Sequence, residues 1–124
     1  MTEPIVFIAR FRVREGRLDE FREHYMNSIA PVRAGKPGTL AQVAFENEDG
    51  SEVMVVRLFS HAEAMDAQLQ GSAERSQKTY EFVQPIGMEV YGMPGAATLE
   101  MMNRAAEKGV VVSFNPRFIG GFIR

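Results

Sequence analysis

Few side chains in this 124-residue chain are placed to do chemistry, and several of them interrupt apolar runs. Arg57 stands in Val53–Phe59, Gln42 in Leu40–Asn47, Arg10 in Ile5–Val13 and Glu89 in Ile86–Tyr91. A charge drawn into an apolar interior needs a partner. Arg57 or Arg10 can meet Glu89 in a structural pair, within or between subunits, and this is the preferred reading. The alternative is that one arginine orients an anionic or phenolate substrate in a pocket. Tyr25 and Tyr80 each lie on an apolar helical face, so their hydroxyls can point at a shared cavity. Core filling with a satisfied hydroxyl is the more frequent role of such residues. Phe45, Met65 and Met88 are the candidate lining residues. The eight methionines suit an adaptable apolar pocket, and equally a plain core.

The two histidines are His24 and His61. Glu20 and His24 are one helical turn apart and can share a metal or a proton. His24 lies off the Leu18–Tyr25–Ile29 stripe, so a solvated surface pair is the preferred reading. His61 adjoins a helix cap at the end of a strand; it is the one histidine considered as a base, with a plain surface position as the alternative. Two scattered histidines give no basis for a metal site.

Other chemistries are excluded by composition. There is no cysteine, hence no disulfide, thiolate metal site or cysteine nucleophile. No serine sits in a G-x-S-x-G elbow, and no phosphate loop or dinucleotide fingerprint occurs. The net charge is −2, which invites neither nucleic acid nor acidic membrane. No apolar run approaches the ~20 residues that span a bilayer. Met1-Thr2-Glu3-Pro4 has no basic region of the signal-peptide kind, so the expected location is cytoplasmic. The length is that of one domain, with enough chain for a core that needs no staples.

The elements that must position these residues follow from periodicity. Ile5, Phe7, Ala9, Phe11 and Val13 alternate as one face of a strand. Leu18, Phe21, Tyr25, Ile29 and Val32 recur at helical spacing, and Pro31 is expected to end or kink that helix near Ile29. Leu40–Asn47 and Val53–Phe59 read as strands flanking an Asp49-Gly50 turn. Ser60-His61-Ala62-Glu63 reads as a capping box with Ser60 as the cap. A helix follows through Met65 and Leu69, breaks at Gly71-Ser72, and resumes with Ala73, Tyr80 and Val83 until Pro85 stops it. Ile86–Tyr91 is the fourth strand.

The order is βαββαβ, an α+β, ferredoxin-like antiparallel sheet with helices on one face. Residues 1–94 form this body. Residues 95–124 form a C-terminal extension, a helix over Ala96–Lys108 with Gly109 as its cap and a strand over Val110–Phe114, packing on its own or a partner subunit. The body holds ten Lys/Arg against fourteen Asp/Glu, net −4, and the extension four against two, net +2. The first and third strands are apolar on both sides. Soluble monomers rarely expose more than a few hundred Å² of contiguous apolar surface. A second copy, sheet against sheet, is the economical cover, and the extension is the competing one.

The punctuation carries a resemblance. Val13-Arg14-Glu15-Gly16 precedes the first helix, with Phe21 inside it. Lys36-Pro37-Gly38-Thr39-Leu40 opens the second strand, Phe59-Ser60-His61-Ala62-Glu63-Ala64 the second helix, and Glu89-Val90-Tyr91-Gly92 closes the fourth strand. Residues 4–93 resemble the antibiotic biosynthesis monooxygenase family of the dimeric α/β-barrel superfamily. The resemblance implies a homodimer with stacked sheets and an apolar pocket between helices and sheet in each subunit. It implies cofactor-free oxygenation of an aromatic or apolar small molecule, haem degradation, or no activity. The haem-degrading branch carries an asparagine where this chain has Ala9 and an iron-binding histidine where it has Lys78. Many members have a histidine where this chain has Gln68, and no tryptophan occurs here. The leading expectation is cofactor-independent monooxygenation with no metal. Arg57, Tyr80 and His61 would be catalytic, and Tyr25, Gln42, Phe45, Met65 and Met88 would bind substrate. A non-catalytic ligand-binding or structural dimer, and an isomerase or cyclase on the same scaffold, are the alternatives.

Overall fold

In the first strand of the computed structural model, which describes residues 3–124, the side chains alternate between two environments. In β1 (Ile5–Val13), Ile5, Phe7, Ala9 and Phe11 are buried and Arg10 and Arg12 are exposed. Then come α1 (Leu18–Gly35), β2 (Thr39–Glu46), β3 (Glu52–Phe59), α2 (Ala62–Leu69), α3 (Ala73–Thr79) and β4 (Val83–Tyr91). The chain ends with α4 (Ala96–Glu107) and β5 (Val111–Asn115). The strand order β2-β3-β1-β4-β5 is a ferredoxin-like sheet with one added edge strand. The first four strands pair antiparallel; β5 joins β4 in parallel, so the sheet is mixed.

Phe21 of α1, Met65 of α2 and Met102 of α4 share one buried cluster with Ile5, Phe7, Val55, Phe59, Met88 and Val90 from the sheet. Each such fully buried large side chain contributes roughly 1.5–3 kcal/mol. The extension therefore deepens the face that α1 and α2 already cover. It is no lid for the other face, where Val6, Ile8, Met54, Val56 and Leu58 are half-buried and Val43 and Phe45 are exposed. Beyond Asn115 the chain has no helix or strand, and Phe118, Ile119, Phe122 and Ile123 are exposed. Among the described residues no helix is long and apolar enough to cross a membrane.

Three boundaries differ from the sequence expectation. α1 runs through Pro31 to Gly35, and the Lys36 amide still closes on the Val32 carbonyl at 2.9 Å. Proline removes one donor, which kinks a helix more readily than it ends one once further turns are stabilised by packing. The α2 cap is His61, not Ser60: His61 is extended, and its Nδ1 accepts the Ala64 amide at 3.1 Å. Ser60 instead donates its amide to the Gly38 carbonyl, which ties it to the start of β2. Val83 and Pro85 belong to β4. Arg10 pairs with Gly87 but Phe11 with Pro85, so Ile86 is the extra residue of a bulge, where a strand tolerates proline.

Two contacts anchor the extension. Gly92 has φ +101°, and a Cβ there would lie 2.7 Å from the Pro4 carbonyl oxygen, so only glycine fits. Its amide donates to the Asn115 carbonyl at the end of β5. At the start of α4, whose own cap residue Gly95 offers no side chain, Asp66 of α2 takes over. Its Oδ1 accepts from the Thr98 amide at 3.1 Å and the Thr98 hydroxyl at 2.8 Å. Replacing Asp66 with Ala leaves both buried Thr98 donors unpaired, and chemical denaturation should show a loss of about 1–2 kcal/mol, the size of a lost helix cap. An unchanged midpoint would show that Asp66 does not hold α4.

Candidate functional site

The period of two along β3 points Arg57 toward the helices, between Val55 and Phe59, opposite Phe7 of β1 and Gln42 of β2. Two polar side chains and a backbone carbonyl hold it in a relay. Arg57 Nε donates to Gln42 Oε1 at 2.9 Å, Gln42 Nε2 donates to Ser28 Oγ at 3.3 Å, and Ser28 Oγ donates to the Tyr25 carbonyl at 2.5 Å. The guanidinium is thus fixed at one edge by a relay crossing from β3 through β2 to α1. No carboxylate forms an ion pair with it among the described residues. Burial pushes Arg57 below its ordinary value, and the neighbouring Arg75 charge adds to the fall.

Arg57 lines a cavity of about 480 Å³ between the sheet and the helices, together with Phe7, Met88, Met101, Leu69 and Tyr80. A smaller hollow of about 90 Å³ adjoins it and is lined by His24, Tyr25, Phe21 and again Arg57 and Arg75. A further cleft of about 450 Å³ lies between the Arg14–Asp19 and Asp49–Ser51 loops and shares no residue with either.

The structure brings some of the expected site residues together and separates others. Arg57, Tyr80 and Met88 line the larger cavity, and Tyr25 the smaller. Gln42 holds Arg57 rather than facing the space. Phe45 stands on the opposite face of the sheet, Met65 is sealed in the core, and His61 is occupied at the α2 cap. The expected pairing of charges divides: Arg10 Nε donates to Glu89 Oε2 at 3.0 Å on the open face, joined there by the Tyr91 hydroxyl, and Arg57 takes no part.

Tyr80 is raised by burial. Tyr25 is raised more by burial than it is lowered by the nearby Gln42 amide and the Arg57 charge. The Tyr25 hydroxyl itself is buried with no hydrogen-bond partner of proper geometry.

Sequence reasoning missed Arg75 and misplaced His24. Arg75 and Thr79 are four residues apart on α3, a spacing that puts both on one side, but a helix of seven residues with nothing buried shows no periodicity to orient it. His24 is half-buried, faces α3 and packs against Phe82, while Glu20 turns to Arg17. His24 Nε2 lies 2.8 Å from Thr79 Oγ1. The Thr79 hydroxyl spends its one proton on the Arg75 carbonyl, so the histidine Nε2 carries the hydrogen and donates.

A model of the antibiotic biosynthesis monooxygenase family matches residues 4–75. No curated protein sequence matches the chain. MupZ from Pseudomonas fluorescens has a similar fold, with a TM-score of 0.76 at 18% identity over 99% of this chain and 96% of that one. SnoaB, a cofactor-independent oxygenase from Streptomyces nogalater, has a TM-score of 0.63 at 15% identity, over 77% of this chain and 97% of its own. For Rv0793 from Mycobacterium tuberculosis the TM-score is 0.63 at 21% identity, over 76% and 99%. At such identities the likeness speaks for the fold.

Burial lowers His24 below its ordinary value, the Arg75 and Lys78 charges lower it further, and Glu81 opposes them. The unfolded chain then binds this proton more readily than the folded one, so stability falls as pH drops through the ordinary histidine range. His24→Gln should flatten the rise of stability between pH 5 and 7, and the His24 ring resonances should titrate with a midpoint below ~6.5. A midpoint at or above that value would contradict the buried, donor-paired ring.

Proposed function

The chain belongs to the antibiotic biosynthesis monooxygenase family, and we propose that it is a cofactor-independent monooxygenase of an aromatic or otherwise apolar small molecule. The observation that carries this reading is Arg57, a guanidinium fixed by Gln42 beside the apolar wall of Phe7, Met88 and Met101 and ion-paired with no carboxylate among the described residues. A preorganised donor of that kind stabilises negative charge on a bound substrate far better than water-exposed groups do. Substrates of the anthrone or hydroquinone type lose a proton to give an electron-rich anion. For an anthrone, the anion passes one electron to dioxygen, the radical and superoxide combine to a hydroperoxide, and loss of water leaves a carbonyl. One oxygen atom enters the product and the other leaves as water. Arg57 and the Tyr80 hydroxyl are the groups that hold and orient the anion, with Met88 and Phe7 as the apolar wall. The cavity is open rather than filled by side chains, which favours a ligand-binding role over a purely structural one.

The working unit in this reading is a homodimer. Family members are typically dimers, and the uncovered sheet face, with Val43 and Phe45 exposed beside Val56 and Leu58, is the surface that a second copy would cover.

Oxygen consumption with anthrone tests the activity. Wild type should consume oxygen and yield the quinone, while Arg57→Ala should lower the rate about a hundredfold or more and Tyr80→Phe by a smaller factor. Product formed without oxygen would point to an isomerase or cyclase, and ligand binding without turnover to a binding protein; either overturns the oxygenase reading. Sedimentation tests the assembly: wild type should run as two chains and Val56→Lys as one. A wild-type monomer would refute the dimer.

A further inference from the structure

We propose that the molecule held in the Arg57 cavity carries a standing carboxylate, gripped by Arg57 together with Arg75, with its apolar body along Phe7, Met88 and Met101. This rests on the cavity being the substrate site and names the class of substrate that it takes.

The free edge of Arg57 is the first reason. Its Nε is committed to Gln42, which fixes the plane of the group, while Nη1 and Nη2 have no protein partner among the described residues. Those two nitrogens present a parallel pair of N–H donors, the match for the two oxygens of a carboxylate. The second reason is Arg75. It lines both the large and the small cavity beside Arg57, forms no ion pair among the described residues, and its charge repels that of Arg57. Arg57 stands in a partly desolvated space, and the solvent-exposed Arg75 beside it adds a second unpaired positive charge, so an anion between them relieves a repulsion that no ion pair among the described residues offsets. Other charges on the lining do not supply it. Lys36 is tied through Nζ to the Ala67 carbonyl at 3.1 Å, and Glu74, the single carboxylate of the lining, makes no ion pair with either arginine.

A carboxylate is charged before any reaction, whereas a phenolate or enolate develops its charge at the reacting atom. The two cases separate cleanly. A grip on a standing carboxylate appears in binding and in KM, with or without oxygen. A grip on a developing anion appears in kcat. On a neutral substrate such as anthrone Arg57 meets only the developing anion; on an acid the two arginines hold the carboxylate and the Tyr80 hydroxyl faces the reacting end.

Anaerobic isothermal titration of the full chain at pH 7 with 1-naphthoate, and with its uncharged isostere 1-naphthamide, decides the matter. Wild type should bind the naphthoate at least about tenfold more tightly than the amide, by the strength of a bidentate charge-assisted pair. Arg57→Met and the solvent-exposed Arg75→Met should each erase most of that preference, while Arg57→Lys should restore part of it. Higher salt should weaken naphthoate and leave naphthamide alone. Equal affinity for acid and amide, or a preference unmoved by Arg75→Met, would overturn the proposal. Because these measurements need no turnover, an oxygen-uptake failure leaves them intact. Turnover of neutral anthrone with no acid preference would remove this inference alone.

Discussion

A guanidinium fixed on the inward face of a β-strand sets the terms for the rest of this molecule. Strand side chains alternate strictly, so Arg57 cannot turn outward without taking Val55 and Phe59 with it. Its charge therefore enters the space beneath the helices. Burial would make that untenable if nothing met it, and the Gln42–Ser28–Tyr25 relay meets only one edge. The space left around the other edge is the cavity. Packing it shut would enclose an uncompensated charge, which costs more than an opening does.

The same alternation governs the sheet as a whole. One face carries Phe7, Val55, Met88 and Val90 into the core beneath α1, α2 and α4. The other carries Val6, Ile8, Met54, Val56 and Leu58 with no helix over them, flanked by the Arg10–Glu89–Tyr91 cluster. The extension strengthens the covered side. It adds β5 beside β4 and is held by Asp66 at one end and Gly92 at the other. That arrangement leaves the uncovered side as it was, and the apolar character of both faces is why a sheet-to-sheet partner is the natural completion of the fold.

Helix boundaries and site membership were less legible than strands. Pro31 lies inside α1 and Pro85 inside β4 at a bulge, and neither ends its element, because a single lost hydrogen bond is outweighed by the packing of the turns or strand on either side. His61 and Ser60 are equally plausible caps by type; the extended backbone of His61 and the Ser60–Gly38 pairing selected between them. His24 lies off the helical stripe that faces the sheet, and α3 with Phe82 offers a second surface for it to pack on.

From the order of residues alone came the βαββαβ succession, the two-sided apolar sheet and the intrusion of Arg57 into an apolar strand. All three follow from local period, which needs no knowledge of neighbours. The division of partners did not: Glu89 answers Arg10 and not Arg57 because register places the two arginines on opposite faces of the sheet. Nor did the approach of Arg75 and Thr79 to His24 and Arg57, since those residues lie on separate elements whose distance in space is fixed by packing rather than by spacing along the chain.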